Sequence, residues 1–152
     1  MPLGGDRKPF PFLQTPFTKA RARFSPDGRW VAYQSNESTR NEVWVAPFPK
    51  ADSKWLISTA GGDYPRWRRD GREIFYLDPD NRLMAAEVDG QGAAFKVGAV
   101  KPLFTINSPN QQYAYDVSTD GQRFLVNTFP EQQDTSTPIT VVMNWQAALS
   151  RR

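Results

Sequence analysis

Short apolar stretches, each closed by a turn signal, follow one another along the whole chain. Strand preference and period-two alternation predict β-strands over residues 10–15, 20–24, 30–35, 42–48, 54–59, 64–68, 73–77, 83–88, 102–105, 113–117, 123–128 and 139–145. Prolines in the first of these, Phe10-Pro11-Phe12-Leu13-Gln14-Thr15, place it at a sheet edge. A looser Gly-rich connection is expected over 89–100, and the nearly continuous apolar run 139–145 reads as a strand buried on both faces. Residues 146–152 are expected as a tail with at most one frayed helical turn.

The strands come in cycles marked by a repeated hairpin. Phe24-Ser25-Pro26-Asp27-Gly28-Arg29-Trp30-Val31-Ala32-Tyr33 returns as Trp67-Arg68-Arg69-Asp70-Gly71-Arg72-Glu73-Ile74-Phe75-Tyr76, and again as Val117-Ser118-Thr119-Asp120-Gly121-Gln122-Arg123-Phe124-Leu125-Val126. Pro26 presets φ for a type I turn, Asp27 tolerates the second corner, and Gly28 supplies the left-handed residue that closes it. Asp70-Gly71 and Asp120-Gly121 have the same structural turn role. The spacing is 43 residues from Asp27 to Asp70 and 50 from Asp70 to Asp120. Four short strands per cycle at that period predict an all-β partial β-propeller, about three blades of four antiparallel strands. The divisions are 1–19 (the end of a preceding blade), 20–60, 61–106, and 107–145, the last lacking its outer strand.

Composition supports short strands and narrows the chemistry. Ten Phe, five Trp, five Tyr and thirteen Pro in 152 residues favour many turns over helices. A net charge of +3 is mildly basic, short of a nucleic-acid-binding tail, and no nucleic-acid partner is expected. The chain has no Cys and no His, which removes thiolate chemistry, the commonest metal ligand and the commonest general base. No catalytic residue, cofactor or metal site is predicted. No apolar run reaches membrane-spanning length, and Met1-Pro2-Leu3-Gly4-Gly5-Asp6-Arg7-Lys8 lacks the apolar core of a signal peptide.

The Ser25-Pro26-Asp27-Gly28 turn with its flanks resembles the repeat of TolB-like, or WD-repeat-like, propellers. Three further stretches resemble the C-terminal half of propellers appended to bacterial serine/threonine protein kinases. They are Pro11-Phe12-Leu13-Gln14-Thr15-Pro16-Phe17, Pro65-Arg66-Trp67-Arg68-Arg69-Asp70-Gly71 and Pro138-Ile139-Thr140-Val141-Val142-Met143-Asn144-Trp145. The other two turns depart from the pattern, with Arg69 and Thr119 where the first has Pro26. No kinase motif is present in this chain. The resemblance implies a non-catalytic module that binds a protein partner or a small ligand, in a family commonly found outside the cytoplasm. An alternative is the sensory half of a receptor-type kinase whose catalytic domain lies outside this chain.

Propellers close with about four to eight blades, so three do not make a ring. The expectation is half of a six-bladed ring, either as part of a longer propeller or as a head-to-tail homodimer. Rim loops at 36–41, 61–64, 108–112 and 130–137 are the candidate contacts.

Arg66-Trp67-Arg68-Arg69 is the most suggestive cluster, suited to phosphate, an acidic partner or single-stranded nucleic acid. Alternation also permits a simpler reading, with Trp67 in a blade core between solvated Arg66 and Arg68. Asp27, Asp70 and Asp120 are expected on one rim and far apart, outside the roughly 5–10 Å separation of a carboxylate pair. Asp78-Pro79-Asp80-Asn81 reads as a hairpin turn, lacking the glycine and glutamate of a calcium loop. Asn36-Glu37-Ser38 matches a glycosylation triplet without further support, and Ser53-Lys54 points to opposite faces of a strand. Trp30, Trp44, Trp55 and Trp145 are expected between blades.

Overall fold

Alternation along one strand decides the architecture. In β6 (Glu73–Leu77) every residue is buried, and its side chains divide between two cores. Ile74 and Tyr76 pack into the first with Trp30, Ala32, Val43, Val45, Ile57, Ala86, Val88 and Phe95. Phe75 and Leu77 pack into the second with Leu83, Ala85, Ile106, Ala114, Tyr115, Phe124 and Val126. A sheet apolar on both faces must lie between two others, and this one does.

The computed structural model describes residues 8–92 and 94–129 and the backbone of 139–143. The chain is all-β and forms antiparallel sheets of propeller-blade type. The first sheet orders β1 (Lys19–Phe24), β2 (Trp30–Ser35), β3 (Glu42–Pro47) and β4 (Trp55–Leu56). The second orders β5 (Asp63–Trp67), β6, β7 (Arg82–Asp89) and β8 (Lys96–Thr105). The third places β10 (Arg123–Asn127) between β9 (Tyr115–Val117) and β11 (Ile139–Met143), with a 3-10 turn at Gln111–Tyr113 before it. Together these are a partial propeller. The first scrap 1–7, the loop 130–138, Trp145 and the tail lie outside the described residues.

The three Asp-Gly turns share one geometry. Gly28, Gly71 and Gly121 have φ of 72°, 72° and 70°, and each N–H donates at 2.9 Å to the carbonyl three residues back. Each aspartate accepts from the backbone N–H two residues on: Asp27 from Arg29 (3.1 Å), Asp70 from Arg72 and Asp120 from Gln122 (both 3.0 Å). The serine of the motif has its own function. Ser25 Oγ donates to Asp27 at 2.6 Å and accepts from Trp30 N–H at 3.0 Å, tying the turn to the strand that leaves it. Ser118 repeats both bonds with Asp120 and Arg123, whereas Arg68 replaces the hydroxyl in the middle turn.

Four strand expectations change. Residues 10–15 form no strand: Pro9 and Pro11 cannot donate to a ladder, and Phe10 and Phe12 instead pack on Phe48 at ring separations of 6.0 and 5.5 Å. Phe24 meets Phe48 edge-on at 4.9 Å. Val31, Tyr33 and Ala46, on the side of the first sheet away from the second, are buried alongside this cluster. The strand expected over 54–59 shortens to Trp55–Leu56, because Ser58 Oγ captures Val43 N–H at 2.8 Å and turns the chain inward. Of the connection expected to be loose over 89–100, residues 96–100 are instead the first half of the ten-residue β8. That strand is the outer edge, mostly solvent-exposed, so no apolar alternation announces it; Lys96, Lys101 and Pro102 discourage further pairing there. Residues 113 and 114 leave the predicted strand over 113–117 for the 3-10 turn.

Of the tryptophans expected between blades, Trp30 and Trp55 are there, at 4.9 and 5.6 Å from the Phe95 ring. Trp44 is not: it pairs with Tyr33 on the other face, under the Lys54 ammonium at 4.9 Å.

The packing sets the cost of two kinds of substitution. Phe75 is fully buried and meets Phe124 edge-on at 5.0 Å, so Phe75→Ala lowers unfolding free energy by about 3–5 kcal/mol in urea titration. Gly28→Ala costs about 1–2 kcal/mol from the left-handed backbone alone, since nothing lies within 4 Å of its added methyl. Gly121→Ala costs more, because its methyl would lie 2.4 Å from the Arg68 stem; equal losses would show that the turns do not interlock.

Candidate binding cleft on the inner strands

The first strands of the sheets, β1, β5 and β9, converge: β5 lies against β1, and Tyr115 of β9 bonds to Tyr64 of β5. Two of them break their ladders at the same repeat position. β1 shifts register between Ala20 and Arg23, and β5 between Asp63 and Arg66. Inside these bulges Arg21 and Tyr64 have φ of 55° and 58°, a conformation that disfavours side chains. The bulges aim the two residues at each other. The Arg21 guanidinium lies 4.0 Å from the Tyr64 ring centroid, and donates to Tyr64 Oη at 2.9 Å and to Gln34 Oε1 at 3.0 Å. Tyr115 Oη donates to the Tyr64 carbonyl at 2.7 Å, and Arg66 lies 5.9 Å from the Tyr115 ring. Burial pushes the Tyr115 phenol far above its ordinary range, so it stays a neutral donor.

Four residues before each turn aspartate stand Arg23, Arg66 and Asp116. The repeat makes them equivalent, and all three line a cleft of about 710 Å³ together with Tyr113, Tyr115 and Leu125. Arg66 is largely enclosed and reaches Asp116 only at 3.9 Å, while Asp116 itself is exposed. Among the described residues, no carboxylate pairs with Arg23. Tyr113 and Leu125 are 67% and 48% exposed, so the cleft has an open apolar flank beside its charges.

The basic cluster of the sequence is dispersed. Arg66 belongs to the cleft. Arg68 is half-buried and engaged: it bonds to Asp70, bonds to Glu73 at 2.6 Å, and lies against Gly121 of the next turn. The Asp70 bond raises its pKa against the effect of burial, with Glu73 adding to the rise. Arg69 is exposed on the turn rim, in a shallow depression of about 260 Å³. Trp67 packs against the first core and donates to the Arg23 carbonyl at 3.0 Å, so the reading of Trp67 as core stands while that of solvated arginines on either side does not. Asp27 and Asp70 line that same depression, with Pro26 3.8 Å from the position of a Gly71 methyl. Each is engaged with its own arginine, Asp27 with Arg29 at 2.7 Å and Asp70 with Arg68.

The loops 36–41, 61–64 and 108–112 gather on the opposite rim, and 130–137 lies outside the described residues. The first two are tied to each other, and the third to the turn at 78–81. Gly62 N–H donates to the Asn41 carbonyl at 2.9 Å, Ile106 N–H to the Asn81 carbonyl at 2.8 Å, and Gln111 to the Asn81 side chain at 2.8 Å. Residues 78–81 form the expected hairpin turn, with Asp78 accepting from the N–H groups of Asp80 and Arg82. Sequence reasoning does not single out Arg21, Arg23, Tyr113, Tyr115 or Asp116. A signal for Arg23 and Asp116 does exist, in their alignment with Arg66 four residues before the turn.

No family model matches the chain. An uncharacterised protein of Agrobacterium fabrum is 27% identical over 127 residues, 70% of this chain and 39% of that protein. A DNA gyrase polypeptide of Mycobacterium kansasii is 33% identical over 97 residues, 60% of this chain and 17% of that protein. The chain thus spans well under half the length of these relatives. Among solved structures, the β-propeller domain of Myceliophteria thermophila Cps50 (Swd1) superposes with a TM-score of 0.53 at 10% identity, over 84% of this chain and 41% of that one. The likeness is one of propeller fold.

The turn carboxylates make stability depend on pH. For Asp27, burial pushes the pKa up but the Ser25 hydroxyl and Arg29 outweigh it; for Asp70 the Arg68 bond dominates, and for Asp120 the Ser118 hydroxyl. All three are lowered from 3.8, so the unfolded chain binds protons first as pH falls. Their stabilisation is complete well above pH 4 and is lost as pH falls through the folded values below it. Replacing all three by Asn flattens the acid limb of the stability–pH curve below about pH 4, read by thermal melts.

Proposed function

We propose that this chain is a non-catalytic interaction module that holds a small ligand or a segment of a partner protein in the inner-strand cleft, with the rim loops around its mouth. The observation that carries this reading is the cleft itself, about 710 Å³ with an apolar flank and two convergent guanidinium groups. Its size suits a small ligand. Asp116 is the one carboxylate among its described lining residues, which gives no acid/base pair, and the sequence holds no His to act as base.

The finer assignment, to propellers appended to receptor-type kinases, is supported by the sequence stretches at 11–17, 65–71 and 138–145. For ring closure, either a second copy paired head to tail or further sheets of a longer parent would supply the missing blades. The small share of its relatives' length that the chain spans, 39% and 17%, favours closure by further sheets of a longer parent over closure by a second copy. Light scattering on the isolated chain is expected to give a monomer, and a monodisperse dimer would reverse this preference.

The module reading is tested by amide NMR of labelled protein titrated with a mixed library of charged and neutral fragments. Shifts are expected at Tyr113, Tyr115, Asp116 and Leu125, without turnover of ester, peptide or glycoside substrates. Turnover, or a library that leaves these four residues unmoved, would sink it.

A further inference from the structure

We infer that the inner-strand cleft selects a small ligand carrying an anionic group, a carboxylate or a phosphate, on an apolar body. The inference rests on the module reading above and adds the ligand's chemistry. Arg23, Arg66 and Asp116 occupy the same repeat position on three adjacent inner strands, so their charges form a band along the cleft wall, two positive and one negative. The arginines are under-used. Arg66 is positioned by the Tyr115 ring and by a bond from Nη1 to the Pro65 carbonyl at 3.1 Å, and its distance to Asp116 is beyond hydrogen-bond reach. A guanidinium carries five N–H donors in a planar fork suited to carboxylate and phosphate oxygens. Arg23 has no carboxylate partner among the described residues, yet its strand is anchored by Trp67, which donates to its carbonyl. Two guanidinium groups with spare donors, Arg66 held against the Tyr115 ring and Arg23 exposed beside it, form with Tyr113 and Leu125 an anion site with an apolar shelf.

Asp116 sets the selectivity. It accepts from the Val117 N–H at 2.9 Å and stands on the cleft wall, where it repels a second negative charge on the ligand. Singly charged anions fit this band better than multiply charged ones.

The test uses three compounds of similar shape, phenylacetate, phenyl phosphate and the neutral phenylacetamide, titrated by NMR into the full chain at low ionic strength. At least one anion is expected to bind roughly tenfold tighter than the amide, the scale of one charge-assisted hydrogen bond, and to weaken with added salt. The carboxylate and phosphate arms distinguish the two anion types. Arg23→Gln, an exposed position, is expected to remove that preference. Asp116→Asn is expected to tighten anion binding roughly threefold. If amide and anions bind the cleft equally, the anion inference falls and the module reading stands. If neither these compounds nor the fragment library shifts the cleft residues, both fall.

Discussion

Face-to-face stacking of sheets is the constraint on which everything else in this molecule depends. A four-stranded sheet cannot bury its apolar side chains alone, and the middle sheet has them on both faces. Ile74 and Tyr76 are committed to one neighbour, Phe75 and Leu77 to the other. The aromatic contacts across these two layers, Trp30 with Phe95 on one side and Phe75 with Phe124 on the other, fix how the sheets are oriented. Once that is set, the first strand of each sheet is brought to the converging edge. The outer strand is left in solvent, where β8 carries lysines and a proline rather than an apolar face.

The Asp-Gly turns serve this stacking twice. Within a sheet they join the first strand to the second through the aspartate, the left-handed glycine and, in two of three cases, a serine bridging to the following strand. Between sheets they are contact points. Arg29 beside the first turn donates to the Gly90 carbonyl of the second sheet at 2.8 Å, and Trp30 Nε1 donates to the same oxygen at 3.1 Å. Arg68 reaches over the third turn. The middle copy departs from the serine pattern at Arg68, and the substitution supplies an inter-sheet contact that a serine is too short to make.

The inner strands are treated differently. There the ladder is broken, left-handed backbone is imposed on Arg21 and Tyr64, and charged side chains are held against aromatic rings. Strained backbone is costly for a purely structural edge, and the guanidinium groups with spare donors, Arg23 and Arg66, stand on the wall of the apolar-flanked cleft. The opposite treatment is seen at the first sheet's outer face, where the proline-rich segment around Phe10 and Phe12 covers apolar surface without joining a ladder.

The sequence by itself determined the strand cycles, the hairpin turns and the propeller class, because these follow from local rules: alternation, the φ of glycine, and a repeat period that counts sheets. It misplaced residues whose neighbours are distant in the chain. The arginines at 66, 68 and 69 look like one basic cluster in sequence, yet alternation and the turn send them to the cleft, to an inter-sheet clamp and to the rim. Phe10 to Thr15 has strand-like residues, but without donors at its prolines it was left to pack by its rings. The first half of β8, residues 96–100, has no apolar alternation because it lies exposed at the outer edge, and pairing with β7 makes it a strand. Arg23 and Asp116 gained meaning from Arg66 only when three first strands were brought to one edge. Local propensity is written residue by residue; convergence of charge is decided by which faces stack.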